Sequence, residues 1–181
     1  MSAKTARLFR PVAGKRYGAL LSLISRYHLE AKKAAKVRAY YAACVLVGSA
    51  LEGSLLAMCT LRSTEVENYV AGLAPGPRPP RAAQDWSLNQ LLAVASALQW
   101  LPARRNKYSR RRLVDWAHLV RELRNLVHPG KHVREYPRVR LGRRHWSDAK
   151  AVFDLANDSL LDLVLADLRV DMRRRGIVPR P

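Results

Sequence analysis

Acidic residues are scarce in this chain. Its 181 residues include 33 lysines and arginines but only 14 aspartates and glutamates, which gives a formal net charge of +19. The charged fraction of 26% is ordinary for a soluble domain, so the imbalance reflects missing acids and not excess charge. With 49% hydrophobic residues the chain can bury a core, which excludes disorder throughout. So large a positive charge indicates a polyanionic partner, nucleic acid more often than a membrane surface.

Cysteine, isoleucine and threonine are also few. The two cysteines, Cys44 and Cys59, exclude a disulfide framework. On one shared helix they lie about 22 Å apart, too far for a disulfide, so both are expected to be buried thiols in the reducing cytoplasm. The 2 isoleucines and 3 threonines stand against 25 alanines and 27 leucines, a balance that favours helix over strand.

Hydrophobic periodicity predicts a single all-α, up-and-down bundle of about five helices. Their expected ranges are 14–33, 34–61, 87–101, 109–128 and 147–175, with a short helix at 63–73. The domain thus covers 14–175, between a basic tail at 1–13 and a short tail at 176–181. Within it, 75–81 is a proline-rich loop and 131–144 a basic, irregular arm. The most apolar helix carries Glu52 near its middle, so we expect a core helix of a soluble protein and not a membrane span.

Positive charge is concentrated in two blocks. Residues 1–38 carry a net +9 and residues 104–144 a net +11, whereas 39–103 carry −1 and 145–181 are neutral. An anionic partner is therefore expected at the two basic blocks. The alternative is that they are solvated helix faces and a basic tail.

The end of the fourth predicted helix carries the most informative motif. Arg121 and His128 are seven residues apart, so they share one edge of the helix, whereas Arg124 falls nearer the apolar stripe. Arginine offers permanent positive charge to phosphate oxygens, and histidine exchanges a proton near neutral pH. Together they suit the cleavage of RNA, whose 2′-hydroxyl serves as the nucleophile without a metal ion. The alternative is that His128 and the Pro-Gly pair after it only end the helix.

This motif resembles the signature of the HEPN family of helical nucleotide-binding and ribonuclease domains, in which four to six residues separate an arginine from a histidine. Arg121 and His128 fit the longest of these spacings. The segments Tyr40–Met58 and Trp86–Pro102 also resemble family helices, in the family's order. The resemblance implies a homodimer in which two motifs form one metal-independent endoribonuclease site. Cleavage there leaves a 2′,3′-cyclic phosphate, requires no cofactor, and belongs to a defence or toxin–antitoxin setting with an antitoxin or regulatory protein as a further partner.

The resemblance also implies roles for individual residues. His128 would transfer a proton or orient the 2′-hydroxyl, and Arg121, with Arg124 as the alternative, would hold the scissile phosphate. Asn125 corresponds to the polar residue of the motif. Flanking phosphates would be held by Lys131, Arg134, Arg138, Arg140, Arg143 and Arg144.

Other interpretations of the same surface stay open. One is a non-catalytic HEPN-like module that binds RNA or a protein partner through its basic face. Another is a basic DNA-binding helical protein, although no helix-turn-helix signature is present.

Two carboxylate features have structural alternatives. A lone carboxylate in an apolar helix is costly to bury unpaired, so Glu52 is expected to pair with Arg124, unless it simply faces solvent. Asp154, Asp158 and Asp162 recur every four residues, which favours an exposed helix face over a divalent-metal site. We expect Trp146 to pack against the bundle, the alternative being that it stacks on RNA bases.

Overall fold

Helices provide the regular structure of this chain. The computed structural model describes residues 8–74, 78–101, 115, 117, 118, 120–122, 134, 140–175 and 177. The helices are α1 (Lys15–Lys36), α2 (Tyr40–Leu61), α3 (Ser63–Ala71), α4 (Leu88–Ala97) and α5 (Arg143–Arg174), with a 3₁₀ turn at Ala83–Asp85. Residues 115, 117, 118, 120–122 and 134 are helical as well. The predicted all-α class is confirmed, with about six helices and no strand in the described ranges.

The apolar helix α2 lies at the centre of the bundle. Twelve of its 22 residues are buried, and Cys44 and Cys59 are among them, as predicted. α1 runs antiparallel to it, and at Gly53 the side chains of α1 lie directly against the α2 backbone. A Cβ atom on Gly53 would come within 2.6 Å of the Ile24 Cγ1 atom. The missing side chain therefore lets the two helices pack this closely.

The last helix, α5, packs on both α1 and α2. It runs parallel to α2, as two contacts show. The Ser54 hydroxyl of α2 donates to the Asn157 side-chain oxygen of α5 at 3.3 Å. Seven residues further along each helix, Leu61 of α2 and Val164 of α5 line the same groove. α1 is consequently antiparallel to α5. Trp146 is 9% exposed and packs in the core, which confirms the structural expectation for this residue.

Burial explains the apolar composition of α2. By length and by a mean hydropathy of 1.8 over its apolar window, α2 would qualify as a membrane-crossing helix. In the bundle, however, 61% of that window is buried, as in the core helix of a soluble protein. Cytoplasmic location stays a prediction.

Residues 8–12 are built into the core, although the sequence suggested a tail up to residue 13. Phe9 is 1% exposed, and its ring meets that of Trp86 edge-on at a centroid distance of 5.3 Å. The Glu67 carboxylate accepts hydrogen bonds from two consecutive backbone N–H groups, the second that of Phe9, at 2.6 and 2.8 Å. A parallel bridge also joins this segment to the stretch before the 3₁₀ turn. Periodicity misses such a segment because its backbone is satisfied by a distant side chain and not by a helix of its own.

Two junctions follow from local chemistry. α4 begins after Ser87, as predicted, and Ser87 and Gln90 form a capping box in which the Ser87 N–H donates to the Gln90 side chain at 2.8 Å. The break between α1 and α2 lies at 37–39, later than the predicted break after residue 33. Arg38 adopts a φ of 62° there, which turns the chain from one helix into the next.

The start of α5 differs from the prediction. The helix begins at Arg143 and not at Ser147, because Gly142 is the N-cap residue and its N–H donates to the His145 Nδ1 atom at 3.1 Å. Arg143 and Arg144 were expected in the irregular arm 131–144. They lie instead in the first turn of a helix.

Candidate nucleic-acid interface

The structure describes part of the predicted Arg–His motif. Arg121 and Glu52 are described, whereas Arg124, Asn125 and His128 lie outside the described residues. The roles given to those three residues, and the Glu52–Arg124 ion pair, stay predictions.

The residues expected to hold flanking phosphates are described in part. Lys131 and Arg138 lie outside the described residues. The other four are exposed: Arg134, Arg140, Arg143 and Arg144.

Arg121 lies at the border between core and surface. Its neighbours Ala117 and Val120 are 0% and 1% exposed, so the helix turns an apolar side toward the core at these two positions. The Arg121 side chain is 29% exposed, and its guanidinium is ion-paired with Glu122. Its Nε atom is buried and has no hydrogen-bond partner among the described residues. An unsatisfied buried donor costs about 1–3 kcal/mol, so a further acceptor at this position would be favourable.

One helical turn before Arg121 lies His118, which sequence reasoning missed. The residue is half-buried, and burial is the main cause that lowers its pKa below the ordinary value of 6.5. The Arg121 charge lowers that pKa further, while Asp115 and Glu122 act in the opposite direction. His118 is therefore neutral at pH 7 and able to accept a proton. The spacing of three residues between Asp115, His118 and Arg121 is the signal that places them on one face.

Glu52 lines a groove of about 230 Å³ between α1, α2 and α4. Its side chain is half-buried, so it neither sits in the core nor projects fully into solvent. Tyr27, Ser49 and Gln84 add polar atoms to an otherwise apolar wall. Among the described residues, the groove is lined by side chains of α1, α2, α4 and the 3₁₀ turn.

The antiparallel packing of α1 on α5 brings two basic segments to one end of the bundle. His28 of α1 lies 3.7 Å from the Asp154 carboxylate of α5, and its ring centroid lies 4.7 Å from that of Phe153. From this contact α1 continues to its last residue, Lys36, while α5 runs back to its first, Arg143. The C-terminal end of α1, the α1–α2 junction and the N-terminal end of α5 therefore lie at the same end.

We call the cations at this end of the bundle the basic end. Seven of them are exposed and one is half-buried: Lys32, Lys33, Lys36, Arg38, Arg140, Arg143 and Arg144, with Lys150 the half-buried one. Lys33 pairs with Glu30, and Lys150 with Asp154, so part of the charge is balanced locally. Tyr41, in the first turn of α2, adds an aromatic ring that is 37% exposed.

His28 marks the boundary between the basic end and the core. Burial is the main cause that lowers its pKa below 6.5; Lys32 and Lys150 lower it further, and Asp154 opposes them. At neutral pH the His28–Asp154 contact is thus not an ion pair, and Asp154 instead pairs with Lys150. Within the described ranges, no group of three histidine, cysteine, aspartate or glutamate side chains is placed to hold a metal ion.

Comparison of the chain with protein-family models, with curated proteins and with solved structures gave no match.

Proposed function

We propose that this protein binds single-stranded RNA at its basic end and cleaves it without a metal ion, as an endoribonuclease of HEPN type with an up-and-down helical bundle. The observation that carries RNA binding is the basic end, where cations from α1, from the stretch before α5 and from α5 itself meet. Cleavage rests on the Arg121–His128 spacing and on the resemblance to the HEPN signature.

The basic end offers the contacts that an RNA backbone needs. Lysine and arginine side chains pair with phosphates and release counterions, so binding there weakens as salt rises. Arg143 and Arg144 stand in the first turn of α5, where the helix dipole adds further positive potential. The exposed ring of Tyr41 offers a face on which an unpaired base stacks.

In the proposed reaction the 2′-oxygen attacks the adjacent phosphorus and the 5′-oxygen leaves. His128 takes the proton from the 2′-hydroxyl, and the leaving 5′-oxygen takes a proton from water. Arg121, with Arg124 as the alternative, stabilises the charge on the phosphate oxygens. Asn125 would orient the phosphate. The products are a 2′,3′-cyclic phosphate and a 5′-hydroxyl, and a homodimer would supply two motifs to one site. A regulatory protein such as an antitoxin would act by covering the basic end.

A second candidate is a non-catalytic module that binds RNA or a protein through the same face. The ion pair between Arg121 and Glu122 favours it, because a guanidinium engaged by a carboxylate is less available to a phosphate.

The deciding experiment incubates the purified protein with labelled single-stranded RNA in EDTA. We expect cleavage to a 2′,3′-cyclic phosphate by the parent, none by His128→Ala, and equal RNA binding by both. Arg121→Ala is expected to lower the cleavage rate strongly, whereas Arg173→Gln, at the far end of α5, is the matched control with unchanged cleavage. RNA binding without cleavage by the parent would refute the endoribonuclease and support the module. Absence of RNA binding would refute the endoribonuclease and an RNA-binding module, and would leave only a module that binds a protein.

A further inference from the structure

The C-terminal half of α5 carries a row of exposed apolar side chains. Leu161, Leu165, Leu168 and Met172 are 51%, 40%, 51% and 37% exposed. Their alternating spacing of four and three residues places them in one narrow stripe, the pattern of a two-stranded coiled coil. An exposed stripe of this kind marks an interaction surface.

The stripe continues into a groove of the bundle. This groove, about 260 Å³ in volume, lies between α1, α2 and α5, and Leu21, Leu61 and Leu161 form part of its wall. Leu21 and Leu61 are 44% and 53% exposed, although they lie beside the core. Leu161 belongs to both groove and stripe, so the apolar surface runs from the bundle onto the second half of α5.

Charge indicates which occupant covers this surface. The chain carries +19, but residues 145–181 contain equal numbers of acidic and basic residues. A second copy can therefore approach here without the repulsion that the basic end would impose. Asp158 and Asp162 are exposed beside the stripe and would oppose RNA or an anionic lipid surface.

Two charged residues beside the stripe determine the direction of pairing. Asp162 and Arg169 are exposed, and both occupy the same flank of the stripe, one heptad apart. An antiparallel pair that sets Leu165 against Leu168 of the partner subunit also sets Asp162 against Arg169 of the partner subunit. Because the arrangement is two-fold symmetric, that ion pair forms twice.

A parallel, in-register pair lacks this complementarity. In such a pair Asp162 would face Asn157 of the partner subunit, and Arg169 would face Val164 of the partner subunit. Neither contact is an ion pair, so the charges favour the antiparallel arrangement.

We propose that two copies of this chain pair antiparallel through α5, from Leu161 to Met172. In this arrangement Met172 of the partner subunit lies opposite Leu161, at the groove that Leu21 and Leu61 line. An antiparallel pair holds the two basic ends apart, so this contact is separate from the motif-sharing homodimer of the proposed function. The inference goes beyond the proposed function, because it requires neither RNA binding nor cleavage.

Sedimentation velocity of the full chain, without RNA and up to about 200 µM protein, measures the pairing. We expect a reversible dimer that Leu165→Asp weakens at least about tenfold, since the new carboxylate falls in the central apolar layer. Leu155→Asp is the matched control: Leu155 is 43% exposed on the same helix but off the stripe, and its variant should dimerise as the parent does. Circular dichroism verifies that both variants stay helical.

Charge exchange tests the direction. Asp162→Arg and Arg169→Asp should each weaken the dimer about tenfold, and the double variant should restore parental affinity, because it re-forms both ion pairs with reversed sign. A parent that stays monomeric at the highest concentration would overturn the proposal, as would a dimer unaffected by Leu165→Asp. A dimer insensitive to the single exchanges, or not restored in the double variant, would overturn the antiparallel arrangement. RNA cleavage is measured separately, so failure here leaves the proposed function to its own test.

Discussion

Arg143 and Arg144 are expected to lower the stability of α5 and to strengthen RNA binding. They occupy the first turn of α5, a turn that contains no acidic residue, and the N-cap is a glycine without a side chain to accept the free N–H groups. Positive charge is unfavourable at a helix N-terminus by about 0.3–1 kcal/mol for each residue at low ionic strength. The double variant Arg143→Gln/Arg144→Gln should therefore have a free energy of unfolding about 0.6–2 kcal/mol higher than that of the parent.

The same variant should bind RNA more weakly. Each phosphate contact on a single strand contributes about 0.7 to the slope of log affinity against log salt, so the loss of two contacts lowers that slope by about 1.4. When salt rises fourfold, from about 50 to 200 mM, the ratio of the parent's RNA affinity to that of the variant should fall about sevenfold. The predicted variant is thus more stable and less able to bind, two effects of opposite sign from one change.

Urea unfolding followed by circular dichroism and fluorescence anisotropy with a labelled single strand measure these two quantities. The matched control is Arg173→Gln/Arg175→Gln, which removes the same number of arginines from the C-terminal end of α5, where positive charge is favourable. It should lose stability and keep the salt slope of RNA binding. A salt slope equal to that of the parent in the Arg143/Arg144 variant would refute the basic end as the RNA interface, and lower stability would refute the helix-dipole argument.

Three further predictions concern the bundle itself. Gly53→Ala should lower the free energy of unfolding by about 1–3 kcal/mol, because the new methyl group overpacks the contact with α1. Gly18→Ala, which has open space around it in α1, should raise the free energy of unfolding by about 0.5–1 kcal/mol. Urea denaturation measures both variants, and equal effects would contradict the packing at Gly53. Because the pKa of His28 is lowered on folding, stability should decrease as pH falls from 7.5 through 6.5 toward 5, and the decrease should be smaller in His28→Gln. Burial raises the pKa of the Cys44 and Cys59 thiols to about 11 and about 12. At pH 8 a thiol reagent should therefore react slowly with the native protein and modify both cysteines after unfolding. Fast modification of the native protein would contradict their burial.

Sequence reasoning predicted those features that depend on local patterns. The central position of α2 follows from a helix that is apolar on nearly every face, and the start of α4 follows from Ser87, whose side chain caps the first turn. The buried state of Cys44 and Cys59 follows from the same apolar helix. Each of these needs information from only one stretch of chain.

Features that depend on tertiary packing could not be predicted from single segments of the sequence. The basic end exists because α1 and α5 are antiparallel, which places the C-terminal end of α1 and the N-terminal end of α5 at the same end of the bundle. His118 was not predicted as a site residue, because its lowered pKa results from partial burial and from the nearby Arg121 charge. Hydrophobic periodicity does not predict the burial of a polar residue. Phe9 was assigned to a tail because its partners, Glu67 and Trp86, lie far away in sequence.

The placement of Phe9 has a consequence for how the chain reaches its folded state. During synthesis Phe9 emerges before the groups that hold it, since Glu67 and Trp86 follow some 60 to 80 residues later. Until then α1 and α2 can form their hairpin from local contacts, but one edge of the core stays open to water. A chain trimmed before Gly14 would keep that edge open permanently, with Trp86 uncovered, and would aggregate more readily than the parent.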